Sequence, residues 1–335
     1  MTAPQTAPRD AADAVAAFRA DLDRLLAEIA RRMVGQSEIA FQVASALLAG
    51  GHVLLEGVPG LGKTLLVKTL AEALELSFSR VQFTPDLMPA DVIGTNMIVE
   101  TAGQRRFEFQ RGPIFAHVVL ADEINRATPK TQSALLEAMQ EQSVTVGKQS
   151  YPLPPPFFVL ATQNPIEMEG TYPLPEAQLD RFLFKLFVRH PSADVEKAIL
   201  ANHLAGFDAV ALERSRLQRL AGPDELTAMS MAAQTVRVAE PLLDYITALV
   251  GRTRTHRFLT YGASPRASIA LLNVSRVQAA VRGRDFVVPD DVKDLAGAVL
   301  RHRVGLHPDA EIEGITTDDC VLDVLRETPV PKGLQ

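Results

Sequence analysis

Up to about residue 190, short apolar runs alternate with stretches of helical periodicity. Continuous apolar runs at 52–56, 118–121, 157–162 and 182–188 are typical of strands buried in a parallel sheet. Apolar residues spaced three and four apart predict helices between them, for example over 65–74. Alternating strands and helices predict an α/β core built on a parallel sheet.

Beyond His190-Pro191-Ser192 the strand-like runs stop and helical periodicity remains. Helices are predicted near 194–203, 223–231, 240–253, 265–282 and 289–301. We therefore divide the chain into an N-terminal helix and extension over 1–32, an α/β core over 33–190 and an α-helical lid domain over 191–335.

Two alternating segments inside the core predict inserted β-hairpins. Residues 96–100 and 105–109 alternate about Ala102-Gly103, and residues 143–151 turn near Gly147-Lys148. Between them, Thr128-Pro129 predicts the start of a helix that runs to about Gln142, because threonine can cap a helix and proline suits its first position.

The segment after the first predicted strand matches the phosphate-loop pattern G-x-x-x-x-G-K-[ST]. It runs Gly57, Val58, Pro59, Gly60, Leu61, Gly62, Lys63 and Thr64. The glycines let backbone N–H groups turn towards a polyphosphate, and the following helix adds its positive dipole. Lys63 is predicted to reach the β- and γ-phosphates, and the Thr64 hydroxyl to bind Mg²⁺. The sequence thus predicts ATP and Mg²⁺ as ligands.

Polar residues end the next two predicted strands. Asp122 is predicted to bind Mg²⁺, and Glu123 to polarise water for attack on the γ-phosphate. Asn164 could donate a hydrogen bond to the γ-phosphate or to the attacking water, although an asparagine before proline is also common in turns. The residues alone leave that choice open.

These motifs together resemble the MoxR family of AAA+ ATPases. The resemblance rests on the phosphate loop, VVLADEINRA from residue 118, VLATQNP from 159, GTYPLPEAQLDRF from 170 and SPRA from 264. It covers the chain from about residue 34 to the C-terminus. It implies an AAA+ αβα nucleotide-binding core with inserted hairpins and a helical lid, acting as an ATP hydrolase in a ring that is usually hexameric.

The resemblance also implies roles for single residues. Asn164 matches the sensor 1 position, Arg181 the arginine finger that enters a neighbouring subunit's site, and Arg266 the sensor 2 position. Whether Arg266 acts in its own subunit or the next is open. Arg126 is a second candidate for a contact between subunits. Val34 and Gly35 match the entry segment that passes the adenine.

The family implies a chaperone-like remodelling or maturation motor, often partnered by a von Willebrand factor A domain protein in metal-cofactor insertion or complex assembly. An alternative is that the same ATPase drives a metal chelatase or a nucleic-acid remodelling complex. A third is a nucleotide-gated scaffold with negligible turnover, against which Glu123 argues. No segment reads as a separate recognition domain, and the client is left open.

Composition narrows these classes. The formal net charge of −6 argues against a broadly basic nucleic-acid surface, although a local basic patch is not excluded. The single cysteine, Cys320, rules out an intrachain disulfide framework and fits a reducing compartment. We find no signal peptide and no run of the ~20 apolar residues needed to span a bilayer, so we expect a cytoplasmic protein without membrane insertion.

Overall fold

A computed structural model describes residues 11–32, 35–57, 62–101, 104–164, 170–204 and 221–331. Its strands are β1 Val53–Glu56, β2 Phe78–Gln82, β3 Gly94–Thr101, β4 Gln104–Arg111, β5 Val118–Asp122, β6 Ser143–Val146, β7 Gln149–Pro152, β8 Phe158–Gln163, β9 Phe184–Phe187, β10 Leu259–Tyr261 and β11 Gly305–Leu306. Its helices are α1 Ala11–Arg32, α2 Ser37–Leu48, α3 Lys63–Ala73, α4 Pro89–Ile93, α5 Pro129–Glu141, α6 Glu176–Leu179, α7 Ala193–Leu204, α8 Pro223–Gln234, α9 Glu240–Thr253, α10 Pro265–Val281, α11 Pro289–Leu300, α12 Pro308–Ile312 and α13 Thr317–Glu327.

The central sheet has five parallel strands in the order β2-β5-β8-β1-β9. Strands β1, β5 and β8 are buried almost throughout. That burial explains their continuous apolar sequence, because a parallel strand covered on both faces has no polar side to alternate with. The predicted parallel α/β sheet is confirmed.

Strand β2 was not predicted. It has one buried residue, Val81, while Arg80 and Gln82 are exposed. A mixed sequence of this kind is expected at the edge of a sheet, where one side of the strand is unpaired, so its local pattern is too weak to recognise.

The connections that leave β1 and its neighbour β8 run towards opposite edges of the sheet, and this arrangement positions the site. From β1 the chain passes to β2 at one edge, and later strands return towards β9 at the other edge. Glu56 of β1 is in register with Gln163 of β8, and Ala121 of β5 with Ala161. The carboxyl ends of these three strands therefore lie side by side, where open α/β sheets bind ligands.

Both predicted hairpins are present. Strands β3 and β4 pair antiparallel with Ile98 opposite Phe107, and β6 pairs with β7. The tip at residues 102–103 lies outside the described residues. The start of α5 was predicted correctly in position but not in detail. Thr128 is the N-cap residue, yet its Oγ1 lies 3.4 Å from the hydroxyl of Thr131 and makes no side-chain cap bond to the backbone.

Residue contacts divide the chain into two compact units. The first contains the described residues of Met1–Arg24 and Thr227–Gln335, and the second is Leu25–Leu226. Both limits fall inside helices, α1 and α8. The first unit is mainly helical and pairs β10 with β11 antiparallel. Its helices α12 and α13 were not predicted. The second unit holds the sheet, both hairpins and α7, and the predicted division at residue 190 stays a prediction.

The core of the second unit joins the sheet to α5. Leu135, Leu136 and Met139 of this helix belong to one buried cluster with Val159 of β8 and with Phe182. No helix among the described residues is long and apolar enough to cross a membrane.

A buried histidine makes the stability of this unit depend on pH. His52 accepts a hydrogen bond at Nδ1 from the N–H of Val159 (3.1 Å), and its Nε2 lies 3.2 Å from the carbonyl oxygen of Met139. Burial lowers the pKa of His52 to about 4, against a smaller opposing effect of the Met139 carbonyl. Below about pH 6.5 the unfolded chain binds a proton there that the native state refuses until about pH 4.

We expect the free energy of unfolding to fall as the pH drops from 7 to 5, with His52 contributing about 2 kcal/mol of that fall. Urea denaturation of the native protein and of His52→Gln at both pH values would measure this contribution. The native protein should lose more stability than the variant. Equal losses would show that His52 does not carry this dependence.

Candidate active site

The first residue of the phosphate loop is held at the end of β1. The N–H of Gly57 donates to the carbonyl oxygen of Gln163 (3.2 Å), which joins β1 to the end of β8. A Cβ at Gly57 would lie 2.4 Å from the carbonyl oxygen of Val188, so only glycine fits. The predicted ligands Val58, Pro59, Gly60 and Leu61 lie outside the described residues.

The loop leads directly into α3. Gly62 has a left-handed backbone (φ 75°), which glycine adopts readily, and Lys63 is the first helical residue. No side chain among the described residues caps this helix. Its first N–H groups, beginning near Lys63 and Thr64, therefore suit an anion. The Lys63 ammonium donates to the carbonyl oxygen of Gly57, which closes the two ends of the loop on each other.

Lys63 interacts electrostatically with the acid pair. Burial lowers the pKa of Lys63, and the carboxylates of Asp122, Glu123 and Glu56 oppose that shift. The start of α3 and the end of β5 thus form one charged site.

Asp122 and Glu123 are locked to β8 through Thr162. The Thr162 hydroxyl donates to Asp122 Oδ1 (2.5 Å) and accepts from the backbone N–H of Glu123 (2.9 Å). Glu123 has a left-handed backbone (φ 56°, ψ 49°). A non-glycine residue in this conformation is strained by roughly 1–2 kcal/mol, and such strain is concentrated at functional sites.

Two neighbours of the acid pair were missed in the sequence because they lie on β2. Arg80 donates to Asp122 Oδ2 from Nη2 (2.7 Å) and Nε (3.2 Å). Gln82 donates to Glu123 Oε2 (2.8 Å), and Arg126 also donates to that oxygen (3.0 Å). The two carboxylates are therefore oriented by four side chains, counting Thr162.

Three further predicted site residues lie in different parts of the fold. Asn164 is buried and directly follows Gln163, the partner of the Gly57 N–H. Arg181 is half-buried and donates from Nη1 to the carbonyl oxygen of Leu136 in α5 (2.6 Å). Arg266 is exposed in the first turn of α10, in the other compact unit.

Steric contact explains why residue 35 is a glycine. Its φ is +80°, and a Cβ there would lie 2.2 Å from Cγ1 of Val195. Val34 lies outside the described residues. Contact with adenine stays a prediction for both.

Comparison with known proteins decides the family. The profile described as the ATPase family associated with various cellular activities (AAA) matches residues 52–184, and the AAA lid domain matches residues 251–324. The chain is 42% identical to the chaperone MoxR1 of Mycobacterium tuberculosis, over 97% of this chain and 86% of that one. It is 31% identical to the protein MoxR of Methylorubrum extorquens, over 91% and 93%. This chain belongs to the MoxR family of AAA+ ATPases.

Two further proteins match over nearly their whole length. The uncharacterised protein YeaC of Bacillus subtilis is 46% identical, over 94% of this chain and 98% of that one. A crystal structure of a candidate ATPase from Cytophaga hutchinsonii has a TM-score of 0.87 at 40% identity, covering 96% of this chain and 98% of that one. The AAA+ α/β fold with a helical lid, predicted from the sequence, is confirmed.

The residues present suit the Mg²⁺ that AAA+ ATPases use with ATP. Thr64 and Asp122 offer a hydroxyl and a carboxylate, the hard oxygen ligands that Mg²⁺ prefers. Asp122 already contacts one cation, the guanidinium of Arg80. Within the described residues, no three His, Cys, Asp or Glu side chains are grouped to hold a metal.

Replacing the loop lysine tests nucleotide binding in this MoxR-family site. Lys63 is predicted to bind the phosphates as the one side-chain cation of the loop, so we expect Lys63→Ala to abolish ATP binding and with it phosphate release. Isothermal calorimetry would measure it, with Lys148→Ala, an exposed lysine in the turn of the second hairpin, as the control. Unchanged affinity in Lys63→Ala would contradict the assignment.

Proposed function

We propose that this MoxR-family ATPase hydrolyses Mg·ATP and uses the energy as a chaperone-like remodelling or maturation motor. The proposal of hydrolysis rests on the two hydrogen bonds of the Thr162 hydroxyl, which donates to the Asp122 carboxylate and accepts from the Glu123 N–H. These bonds hold a metal-binding carboxylate and a water-activating carboxylate at one strand end, beside the start of α3. A site that only bound nucleotide would not need the second acid in a strained conformation.

Each residue then has a distinct role. Lys63 and the N-terminal amides of α3 bind the phosphates, and Thr64 with Asp122 would hold Mg²⁺, which supplies positive charge against the β- and γ-phosphates. Glu123 accepts a proton from the attacking water. Gln82 and Arg126 orient its carboxylate. Asn164 is proposed to contact the γ-phosphate or that water.

The metal requirement is open to direct measurement. Phosphate release should stop when EDTA removes divalent cations and return when Mg²⁺ is added. Nucleotide binding measured alongside would show which step needs the ion. Full turnover in EDTA would contradict the assignment of Thr64 and Asp122.

We further propose a ring, hexameric as is usual for AAA+ ATPases, in which Arg181 completes a neighbour's site. A planar, permanently charged guanidinium suits the charge that spreads over the transferred phosphoryl group. Arg266 is proposed as sensor 2, contacting phosphate from the lid, in its own subunit or the next.

Mixing two inactive variants tests the shared site. Lys63→Ala keeps Arg181, and Arg181→Ala keeps the phosphate loop, so a mixed ring contains sites with both parts. Phosphate release should reappear on mixing and fall on dilution as rings dissociate. Native mass spectrometry would confirm the ring size and the exchange of subunits.

The client and the partner are proposed from the family. One relative is named a chaperone, and we propose a cytoplasmic role with a von Willebrand factor A domain protein as partner, in complex assembly or metal-cofactor insertion. Turnover should rise when such a domain is added. Stimulation by DNA or RNA instead would favour the alternative of a nucleic-acid motor, for which the net charge of −6 offers no support.

A further inference from the structure

A fully buried glutamine connects the acid pair to the segment that leads to Arg181. Gln132 lies in α5 with none of its surface exposed. Its Nε2 lies 3.2 Å from the carbonyl oxygens of both Ile124 and Ala127 and 2.9 Å from that of Tyr172. A buried polar side chain is unfavourable unless it is hydrogen-bonded, so these contacts define its position.

The three acceptors belong to two different parts of the site. Ile124 begins the short 3-10 turn that follows Glu123, and Ala127 comes directly after that turn. Tyr172 lies in the segment before α6, and its N–H donates to the carbonyl oxygen of Asn125 in that turn (2.6 Å). The turn and the segment are therefore joined twice, once through Gln132 and once directly.

The same helix also holds the predicted arginine finger. One helical turn beyond Gln132, the carbonyl oxygen of Leu136 accepts from Arg181 Nη1 (2.6 Å). Gln178 of α6 donates to Ser133 Oγ (3.3 Å). Helix α5 is thus fastened at one end to the turn after Glu123 and further along to the segment that carries Arg181.

We propose that Gln132 is a positioning residue that sets the place of Arg181 relative to its own subunit's acid pair. This inference rests on the proposed shared site, in which Arg181 serves the neighbouring subunit. Gln132 then acts on the next subunit's ATP through the Tyr172 segment. Its effect on its own Glu123 is small, because Thr162 of β8 and Gln82 of β2 hold that residue from the sheet.

The test places Gln132→Met on either side of the shared site. Methionine keeps the length and helix preference of glutamine but has no N–H to donate. The reference mixture pairs Lys63→Ala with Arg181→Ala. In the first arm Gln132→Met is added to the Lys63→Ala chain, which donates Arg181. In the second it is added to the Arg181→Ala chain, which supplies the intact phosphate loop.

We expect the first arm to lose about tenfold or more of the reference kcat with KM for ATP unchanged, and the second arm to stay within about threefold. Both arms carry the same substitution, so general destabilisation would lower them equally. Gln140→Met, at an exposed glutamine of the same helix, serves as the control in the first arm.

Equal losses in the two arms, or no loss in the first, would overturn the proposal. A reference mixture that stays inactive although subunits exchange would instead refute hydrolysis at independent shared sites, and the role of Gln132 with it. The two failures are therefore distinguishable.

Discussion

Arg181→Ala is expected to lower the rate of ATP hydrolysis by about 10³-fold or more while ATP still binds. The change leaves Lys63, Thr64 and Asp122 in place, so the ground-state contacts of the nucleotide persist. On the proposed role of Arg181, what is lost is a cation that the neighbouring subunit supplies to stabilise charge on the phosphoryl group in the transition state. The variant should therefore show a low kcat with a nearly unchanged affinity.

Steady-state phosphate release and calorimetry together measure these two quantities. Arg326→Ala is a suitable control, because that side chain is 75% exposed and pairs with Asp323 one turn away at 3.4 Å. Its turnover should match the native protein. An Arg181→Ala protein with native turnover would remove the finger assignment, and Arg126, which pairs with Glu123, would become the leading candidate.

Glu123→Gln is expected to lower turnover by roughly 10²–10⁴-fold, the range for a lost general base. Glutamine has nearly the same shape, and its amide oxygen can still accept from Gln82 and Arg126. It cannot take a proton from water. ATP should bind and remain unhydrolysed, so rings assembled with ATP should persist longer than those of the native protein.

Single-turnover phosphate release, with gel filtration in ATP, would follow both effects. Glu137→Gln removes an exposed carboxylate from α5 and should leave the rate unchanged. Turnover of Glu123→Gln within a few-fold of the native rate would show that another group activates the water.

Much of the fold could be predicted from local sequence patterns. The strands β1, β5 and β8 were predicted because burial on both faces demands unbroken apolar runs. Strand β9 lies at an edge, and it was predicted from a run that is apolar except for Lys185. Gly57 and the acid pair lie at strand ends as expected, since motif spacing reflects the strand, turn and helix that surround each motif. Both hairpins followed from alternation about a turn.

The misses have physical causes. Strand β2 lies at an edge and carries too few buried residues to form a pattern, so Arg80 and Gln82 were overlooked. Helix α13 begins at a capping box in which Thr316 and Asp319 exchange hydrogen bonds, a local signal that could have been recognised.

The sequence by itself determined the family, the parallel α/β core and the chemical types at the site, because periodicity and motif spacing are local properties. The tertiary structure alone decided which side chains hold the site together. Thr162 meets Asp122 across 40 residues, Gln132 meets Tyr172 across 40, and Arg181 meets Leu136 across 45. Such contacts depend on strand order and helix packing, so no local pattern could reveal them.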